Sequence, residues 1–345
     1  MRYIYPGATH IHTHYSDGTG NIKDIAVAAK KAGLKWIIIT DHNNLAGLKN
    51  DEEGWYNGVA VIIGEEISPE TSDHYLAFGI KEEISPDTGY KNYIKKVTEQ
   101  GGLGFVAHPD ESLTRKNDLK PLRWLNWDVQ GFTGLEIWNY LSDLVDNYDP
   151  KKALFWYLCR NKLLSGPTQK VLGWWDSLNN QTDKIVPAIG GVDVHCFHYK
   201  YKGVGLKIFP YSNSFKTVTN LLYLDRRLSD DFEQAKIQIL NALENGNNII
   251  MNRIWNKGEN YPGFYVKNSQ KKAYVGESVN LDKEAAIIVK FSKKAKIKLI
   301  HDGTIIMETE DNKLLFDNLK TGKYRVEAYY KNRPWIFTNP IQVCE

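Results

Sequence analysis

Cysteine is scarce in this sequence, and the chain has neither a long apolar run nor an excess of one charge. Its three cysteines, Cys159, Cys196 and Cys344, lack the paired spacing of a zinc ribbon or a disulfide framework, so we expect no thiol chemistry. No apolar run approaches the roughly 20 residues that cross a bilayer, and the opening residues lack the apolar core of a signal peptide. We therefore expect a cytoplasmic protein without a membrane partner.

The composition is that of an ordinary globular protein, with 42% hydrophobic and 25% charged residues in 345. This length suffices for one large domain and a small one. The net charge of +3 is too close to neutral to indicate nucleic acid, so we expect a small-molecule substrate. The composition leaves the oligomeric state open.

Histidine, by contrast, is concentrated near the start of the chain. Three of the nine histidines, His10, His12 and His14, occupy alternate positions in GATHIHTHYSDGTG. Because successive side chains of a strand point to opposite faces, this spacing predicts that all three project from one face. A polar strand face in water would explain one such histidine. Three histidines at alternate positions, followed by Ser16-Asp17-Gly18, favour a functional site.

Strands and helices alternate along the first two thirds of the chain. Asn21 can cap a helix that ends near Gly33, and WIIIT, VAVIIG, YLAFGI, LGFVAHP, GLEIWN and VPAIGGVDVH each predict a buried strand. Polar residues follow these strands, as His42, Glu66 and His108 do. The pattern predicts a mainly parallel α/β barrel with its site at the carboxyl ends of the strands.

Two other segments depart from this pattern. Residues 111–185 form a tryptophan-rich, helical insert, whose tryptophans we expect mainly in the core. After an amphipathic helix from about residue 228, capped by Ser229 or Asp230 and ending at Gly246, alternating sequences such as KIKLI and YRVEAYY predict strands with one wet face. We predict a barrel domain over residues 1–263 and a small C-terminal β-sandwich domain over residues 264–345.

The polar residues at the strand ends form one set of candidate metal ligands. Imidazole and carboxylate ligands without thiolate suit zinc, manganese or iron. Nine ligands exceed what one ion can take, so we expect two or three divalent ions, with Glu66 as the bridging carboxylate. The set is His10, His12, Asp17, His42, Glu66, His74, His108, Asp193 and His195.

The motifs HIHTHYSDG, ITDHNN, GEEIS, AHP and GVDVH resemble those of the PHP (polymerase and histidinol phosphatase) metallohydrolase family. The resemblance implies a distorted (β/α)7 TIM-like barrel with two or three divalent metals, and most family members are phosphoesterases. Aligned on Ser16-Asp17-Gly18, it implies that His14 occupies a variable position. The resemblance also implies that Glu66, and not Glu65, is the metal ligand. Ala8, Thr9 and the variant GGVDVH depart from the family pattern but remove no ligand.

The tail GKYRVEAYYKNRPWIFTNPIQV resembles the β-domain of the CehA/McbA-type, carbaryl-hydrolase-like branch. We expect hydrolysis by a metal-activated water, with Asp193 or His14 orienting the water or protonating the leaving group. A phosphoesterase is the first expectation, for which Arg115 is a candidate phosphate contact. An ester, amide or carbamate hydrolase is the alternative, followed by a non-catalytic metal-bearing, carbohydrate-binding or structural protein. Glu136 and Asn139 fit either a contact with the site or a structural cap.

Overall fold

The structure, a computed structural model, describes residues 2–112, 122–149, 151, 155, 158–159, 162–201, 204–256, 258 and 260–345. Arg115, the candidate phosphate contact, lies outside these residues. The strands are β1 (Tyr3–Ile11), β2 (Trp36–His42), β3 (Gly54–Tyr56), β4 (Val59–Ile67), β5 (Tyr75–Phe78), β6 (Leu103–Val106), β7 (Gly134–Asn139), β8 (Ala188–Val194), β9 (His198–Tyr201), β10 (Val204–Lys207), β11 (Val218–Leu224), β12 (Asn248–Asn252), β13 (Gly263–Lys267), β14 (Lys272–Tyr274), β15 (Ser278–Asn280), β16 (Ala286–His301), β17 (Thr304–Phe316), β18 (Gly322–Tyr330), β19 (Arg333–Thr338) and β20 (Ile341–Cys344). The helices are α1 (Ile22–Lys31), α2 (Ala46–Lys49), α3 (Tyr90–Glu99), α4 (Tyr140–Asp146), α5 (Gln169–Asn180), α6 (Tyr211–Ser214) and α7 (Phe232–Glu244).

Seven strands close into a barrel in the order β1, β2, β4, β5, β6, β7, β8 and back to β1. The predicted α/β barrel is thereby confirmed. Most neighbours are parallel, but β5 runs antiparallel to both β4 and β6. The link from Ile67 to Tyr75 is too short for a parallel crossover, which needs a dozen or more residues, so the chain reverses there.

The helices begin where the sequence supplies a cap. The Asn21 side chain accepts the Asp24 N–H at the start of α1, whose buried face carries Ile22 and Ile25. The predicted cap of α7 is wrong by one or two residues. Asp231 accepts the Gln234 N–H, while the Ser229 hydroxyl accepts the Asp231 N–H and so shapes the approach to the helix.

The insert contributes tryptophans to the core, as expected. Trp124, Trp138 and Trp175 are all at most 1% exposed, and Trp138 and Trp175 belong to β7 and α5. Trp156 lies outside the described residues. The insert therefore packs against the barrel instead of standing apart from it.

The C-terminal strands continue the barrel sheet. β11 pairs with β1, β12 with β11, and β19 with β12 through Ile249↔Thr338 to Met251↔Ile336. The further pairings run from β19 to β18 and from β18 to β16. Strand pairing thus crosses the position suggested for the domain boundary, and the division into two domains stays a prediction.

One face of β18 was expected to be wet, and this expectation is wrong. Arg325 is 5% exposed and Glu327 is 4% exposed. The polar face of the strand is covered because helix α5 places Asp176 against it, where the Asp176 carboxylate accepts two hydrogen bonds from the Arg325 guanidinium. Among the described helices, none has the length and apolar composition that a membrane-spanning helix requires.

Candidate metal centre

The nine candidate ligands meet at one end of the barrel. His10 lies near the end of β1, His42 ends β2, Glu66 lies near the end of β4, and His74 immediately precedes β5. The ligand atoms of the nine residues form four overlapping groups, each with its atoms within 4.8 Å of one another. The groups are His12, Asp17, His42 and His195; His10, His12 and Glu66; His10, His108 and Asp193; and Glu66, His74 and His108.

Glu66 is the centre of this arrangement. Its Oε1 lies 2.8 Å from His74 Nδ1 and 3.3 Å from His108 Nε2. Its Oε2 lies 2.9 Å from His42 Nδ1, 3.3 Å from His10 Nε2 and 3.4 Å from His12 Nε2. A carboxylate that faces five imidazoles with two oxygens has the geometry expected of a ligand shared between ions.

Two aspartates extend the cluster on either side of Glu66. Asp193 Oδ1 lies 3.3 Å from His12 Nε2 and 3.5 Å from His10 Nε2. Asp17 Oδ1 lies 3.1 Å from His195 Nε2 and 3.5 Å from His42 Nε2. The rings of His12 and His195 stack with centroids 4.1 Å apart. The cluster, formed by the nine residues, therefore offers three acidic groups among six imidazoles.

The expectation that His10, His12 and His14 share one strand face is wrong. β1 ends at Ile11, and His10 already has a φ of 63°, so the strand alternation stops before the second histidine. His12 is buried in the cluster, whereas His14 is exposed, lies against the Tyr15 ring in a tilted arrangement and is outside the four groups. The sharp turn, not the strand, aims His10 and His12 at one point.

Left-handed backbone recurs at the other ligands. His108 has a φ of 25° and Asp193 a φ of 48°, both in a region that non-glycine residues rarely adopt. Such conformations are maintained only where the surroundings enforce them, and they concentrate at functional sites. Here they occur where strands end and the ligand side chains must turn toward the cluster.

Glu136 and Asn139, on β7, form hydrogen bonds with several of the candidate ligands. Glu136 Oε1 lies 2.9 Å from His10 Nδ1, and its Oε2 accepts the His108 N–H at 2.8 Å. The Asn139 amide donates to Asp193 Oδ2 at 3.2 Å. Because the outer nitrogen of His10 and the outer oxygen of Asp193 are occupied, His10 Nε2 and Asp193 Oδ1 face the cluster.

Two further residues that the sequence did not single out order the ligand segments. Asp41 accepts the Thr13 N–H at 2.7 Å and the Ser16 hydroxyl at 2.6 Å, which fixes the turn leading to Asp17. The Tyr211 hydroxyl donates to the His12 carbonyl at 2.7 Å. Asp41 could have been suspected from its place beside His42, but no local pattern connects residue 211 with residue 12.

Charge within the cluster shifts the pKa values in opposite directions. Burial, and then the neighbouring His195, lower the pKa of His12 to about 3. Burial lowers the pKa of His42 and His108, but Glu66 and neighbouring carboxylates outweigh it and raise each to about 9. Burial raises the pKa of Glu66, yet His10 and its neighbours hold it well below its usual range. The carboxylate is therefore ionised at neutral pH.

The cluster fits divalent metal ions. His10 Nε2 and both ring nitrogens of His12 are buried, and no described group forms a hydrogen bond with them. Buried polar atoms are nearly always hydrogen-bonded, and converging imidazole nitrogens beside carboxylates are a donor set that suits a divalent cation. Neutral imidazole and ionised carboxylate are the forms that bind metals.

A cavity of about 260 Å³ opens beside the cluster, where His108, Glu136 and Asn139 form part of its wall. Trp138, Ser142 and residues 165–168 line its other side. The described lining contains neither arginine nor lysine. The cavity leaves open space beside the cluster.

A closed α/β barrel with a histidine–carboxylate cluster at its strand ends can hold divalent metal ions. Residues 8–148 match the family model of the PHP domain, so the predicted PHP domain is confirmed over this part of the chain. The PHP domain and the clusters fit a metal-dependent hydrolase. The comparisons give no support for the carbaryl-hydrolase-like branch.

Two curated relatives match short parts of the chain. An uncharacterised protein of Methanocaldococcus jannaschii is 34% identical over 114 residues, which cover 29% of this chain and 65% of the relative. The DNA polymerase III alpha subunit of Borreliella burgdorferi is 34% identical over 116 residues, which cover 29% of this chain and 10% of the subunit. The chain thus spans less than two thirds of the length of either relative.

Solved structures resemble the chain only distantly. A two-domain Bacteroides vulgatus protein containing a predicted PHP-like metal-dependent phosphoesterase is 14% identical, with a TM-score of 0.40 over 98% of this chain and 95% of that one. PsfC of Pseudomonas syringae is 13% identical, with a TM-score of 0.42 over 67% of this chain and 87% of its own. The fold assignment therefore rests on the strand pairing described above.

Proposed function

We propose that the protein is a multinuclear metal-dependent phosphoesterase that hydrolyses a small phosphate ester with an activated water. The observation that supports it is the single carboxylate of Glu66, which faces five histidines in the PHP domain. Two or three zinc, manganese or iron ions held by the nine ligands would lower the pKa of a bound water toward about 7 and polarise a phosphoryl oxygen.

The protein's own groups would prepare the site for this reaction. His12 is neutral at neutral pH, so its unprotonated ring nitrogen is free to bind a cation. Glu136 fixes the ring of His10, and Asn139 leaves Asp193 Oδ1 turned toward the cluster. Rigid ligands need no rearrangement during the reaction, which is the main source of electrostatic catalysis.

Proton transfer is the step for which the sequence offers two residues. Asp193 is 7% exposed and lies within the cluster, where its Oδ1 could orient the attacking water. His14 is exposed, and its Nδ1 lies 3.3 Å from the Gly20 carbonyl. On this geometry Asp193 is the stronger candidate for proton transfer, and His14 stays a prediction from the sequence.

The test begins with protein purified without chelator. Metal per chain is counted by elemental analysis, and the same sample is assayed with p-nitrophenyl phosphate, bis(p-nitrophenyl) phosphate and 1-naphthyl methylcarbamate. We expect two or three ions per chain and phosphate ester cleavage that EDTA abolishes. Cleavage of the carbamate alone would favour an ester, amide or carbamate hydrolase, and metal-free protein would overturn the proposal.

Adjacent glutamates provide a matched control for the site. Glu66→Gln should reduce the bound metal and lower kcat/KM by at least about a hundredfold, because it removes the shared charge. Glu65→Gln changes the same chemical group one residue earlier, on the other face of β4, and should retain both metal and activity. Equal losses in the two variants would contradict the assigned centre.

A further inference from the structure

A second cavity, of about 370 Å³, has a described lining that shares no residue with the metal cluster. Arg253, in the short 3-10 helix Arg253–Trp255 after β12, contributes its side chain, and Lys216 precedes β11 on the same wall. Gly33, at the end of α1, and Tyr261 also line this cavity. The described lining carries two cations and no carboxylate.

Arg253 is partly buried, and no ion pair joins its guanidinium to a described carboxylate. Its Nη1 is buried without a hydrogen bond, and none of the ion pairs in the described residues includes its side chain. Burial lowers the pKa of Arg253 by more than the interaction with Tyr261 raises it. A partly buried guanidinium whose Nη1 is buried and without a hydrogen bond would be stabilised by an anion in the cavity.

The end of helix α1 explains part of the position of Arg253 but leaves Nη1 unpaired. A Cβ placed on Gly33 would lie 3.2 Å from Arg253 Nη2, so the guanidinium packs against the carboxyl end of the helix. A helix C-terminus favours a nearby cation through its dipole. That attraction provides no hydrogen-bond acceptor for Nη1 among the described residues, and the cavity that Arg253 lines has room for one.

Lys216 is held beside Arg253 by the backbone. The Arg253 N–H donates to the Thr217 carbonyl at 3.0 Å, which places residues 216 and 253 on neighbouring segments. Lys216 is exposed and forms no ion pair with a described carboxylate. One fixed, planar donor group and one flexible ammonium are the combination that binds a phosphate group.

We propose that this cavity binds a small oxyanion, a phosphate group, between Arg253 and Lys216. The guanidinium donates to two of its oxygens, and the ammonium contributes a further charge at the mouth of the cavity. The described residues of this site do not overlap with those of the metal cluster. The phosphate comes either as free inorganic phosphate or attached to a small organic molecule, which Tyr261 and Ile254 can contact.

The experiment uses metal-stripped protein, so that phosphate cannot bind through metal ions. Inorganic phosphate, ribose 5-phosphate and unphosphorylated ribose are titrated calorimetrically into the wild type and into Arg253→Met. Arg226→Met is the matched control, since Arg226 is exposed and lies outside the described lining. We expect phosphate affinity to fall at least tenfold in Arg253→Met only, and to weaken as salt is added.

Two further variants keep the test decisive if Arg253→Met does not fold. Arg253→Lys retains the charge but loses the planar fork, and should weaken binding severalfold. Lys216→Ala, at an exposed position, should weaken it about threefold. Tighter binding of ribose 5-phosphate than of phosphate would identify an organic phosphate, and equal binding would identify inorganic phosphate.

Three results would overturn the proposal. The first is a wild type that binds none of the phosphates. The second is equal phosphate binding by the wild type and all three cavity variants. The third is an Arg253→Met protein that melts at a lower temperature yet binds phosphate normally, which would make Arg253 only a counter-charge for helix α1.

Discussion

Glu65 and Glu66 are adjacent in β4, but their side chains lie in different environments. Along β4 the side chains alternate, so Glu66 enters the histidine cluster while Glu65 Oε2 accepts the Ile84 N–H on the other face. Burial raises the pKa of Glu65 to about 7, whereas neighbouring histidines depress that of Glu66. Alternation alone cannot tell which glutamate points inward. The motif GEEIS selected Glu66, whose side chain the structure places in the cluster.

The raised pKa of Glu65 predicts a stability that depends on pH. The folded protein binds this proton more tightly than the unfolded chain, whose pKa is near 4.5, so Glu65 lowers stability progressively as pH rises from about 4.5 to about 7. Glu65→Gln should therefore be more stable than the wild type by about 1–3 kcal/mol at pH 8.5. At pH 5 it should differ by only about a quarter of that.

Urea unfolding of both proteins at the two pH values measures this effect. Glutamine keeps an oxygen for the Ile84 N–H, so loss of that hydrogen bond does not obscure the comparison. A difference in unfolding free energy that is the same at pH 5 and pH 8.5 would show that Glu65 titrates normally.

Metal binding should release protons. Without metal, His42 and His108 have pKa values of about 9 and hold protons at neutral pH. A coordinating nitrogen must lose its proton, so metal affinity should rise as pH increases from 6 to 9. Calorimetric titration of zinc in PIPES and in Tris, which differ in ionisation enthalpy, counts the protons.

His12 provides the internal comparison for proton release. Its pKa of about 3 means that it is already neutral, so His12→Ala should weaken metal binding while leaving the proton count nearly unchanged. If the heat of zinc binding is the same in PIPES and in Tris, zinc binding releases no protons. That result would contradict the protonated state of His42 and His108.

At the scale of elements, close packing of β8 against its neighbours sets the geometry of the ligands. Thr9 of β1 pairs with Gly191 of β8, and a Cβ on Gly191 would lie 1.6 Å from Glu136 Oε1 and 2.9 Å from His10 Cβ. Glycine is therefore required where the carboxylate that orients His10 crosses the strand.

Gly191→Ala should displace Glu136 and release His10. We expect metal affinity to fall about tenfold to a hundredfold, as is typical when the partner of a ligand histidine is lost. Gly173→Ala is the matched control, because a Cβ at Gly173 in α5 meets nothing within 4 Å. It should keep the metal and add up to about 1 kcal/mol of stability. Comparable metal loss in both variants would rule out the proposed contact.

The elements were largely predictable, and their exceptions have physical causes. Apolar runs and the caps of α1 indicated where strands and helices lie, because these signals are local. The direction of β5 depended on the length of one link, and the turn at His10 depended on contacts from β7 and β8. Left-handed φ values at non-glycine residues have no sequence signature. The directions in which the candidate ligand side chains point could therefore not be deduced from the sequence.

At the scale of the whole molecule, helix α5 connects the insert to the C-terminal strands. The Arg325 guanidinium donates to Asp176 at 2.6 and 2.7 Å and to Glu327 at 2.7 Å. The Lys323 ammonium donates to the carbonyls of Asn179, Thr182 and Lys184, at and just beyond the end of α5. The contacts of Arg325 with Asp176 and of Lys323 with the three carbonyls do not follow from local pattern, because they join residues more than a hundred positions apart.

Asp176→Ala should destabilise the protein by about 2–4 kcal/mol, because it leaves a buried guanidinium with one carboxylate instead of two. Glu308→Ala removes the exposed partner of Lys296 and should change the unfolding free energy by less than about 0.5 kcal/mol. Chemical denaturation of both variants tests the contrast. If both substitutions change the unfolding free energy by an equally small amount, Arg325 does not hold α5 against the C-terminal strands.

The pairing of β12 with β19 also has a consequence for the order of synthesis. The partner of Met251 is Ile336, some 85 residues further along the chain. At translation rates of about 5–20 residues per second, the free edge of β12 waits roughly 4–17 seconds for its partner. During that interval the nascent chain presents an apolar strand edge to every other chain emerging nearby, so the ribosome-bound protein is the form most in need of a chaperone.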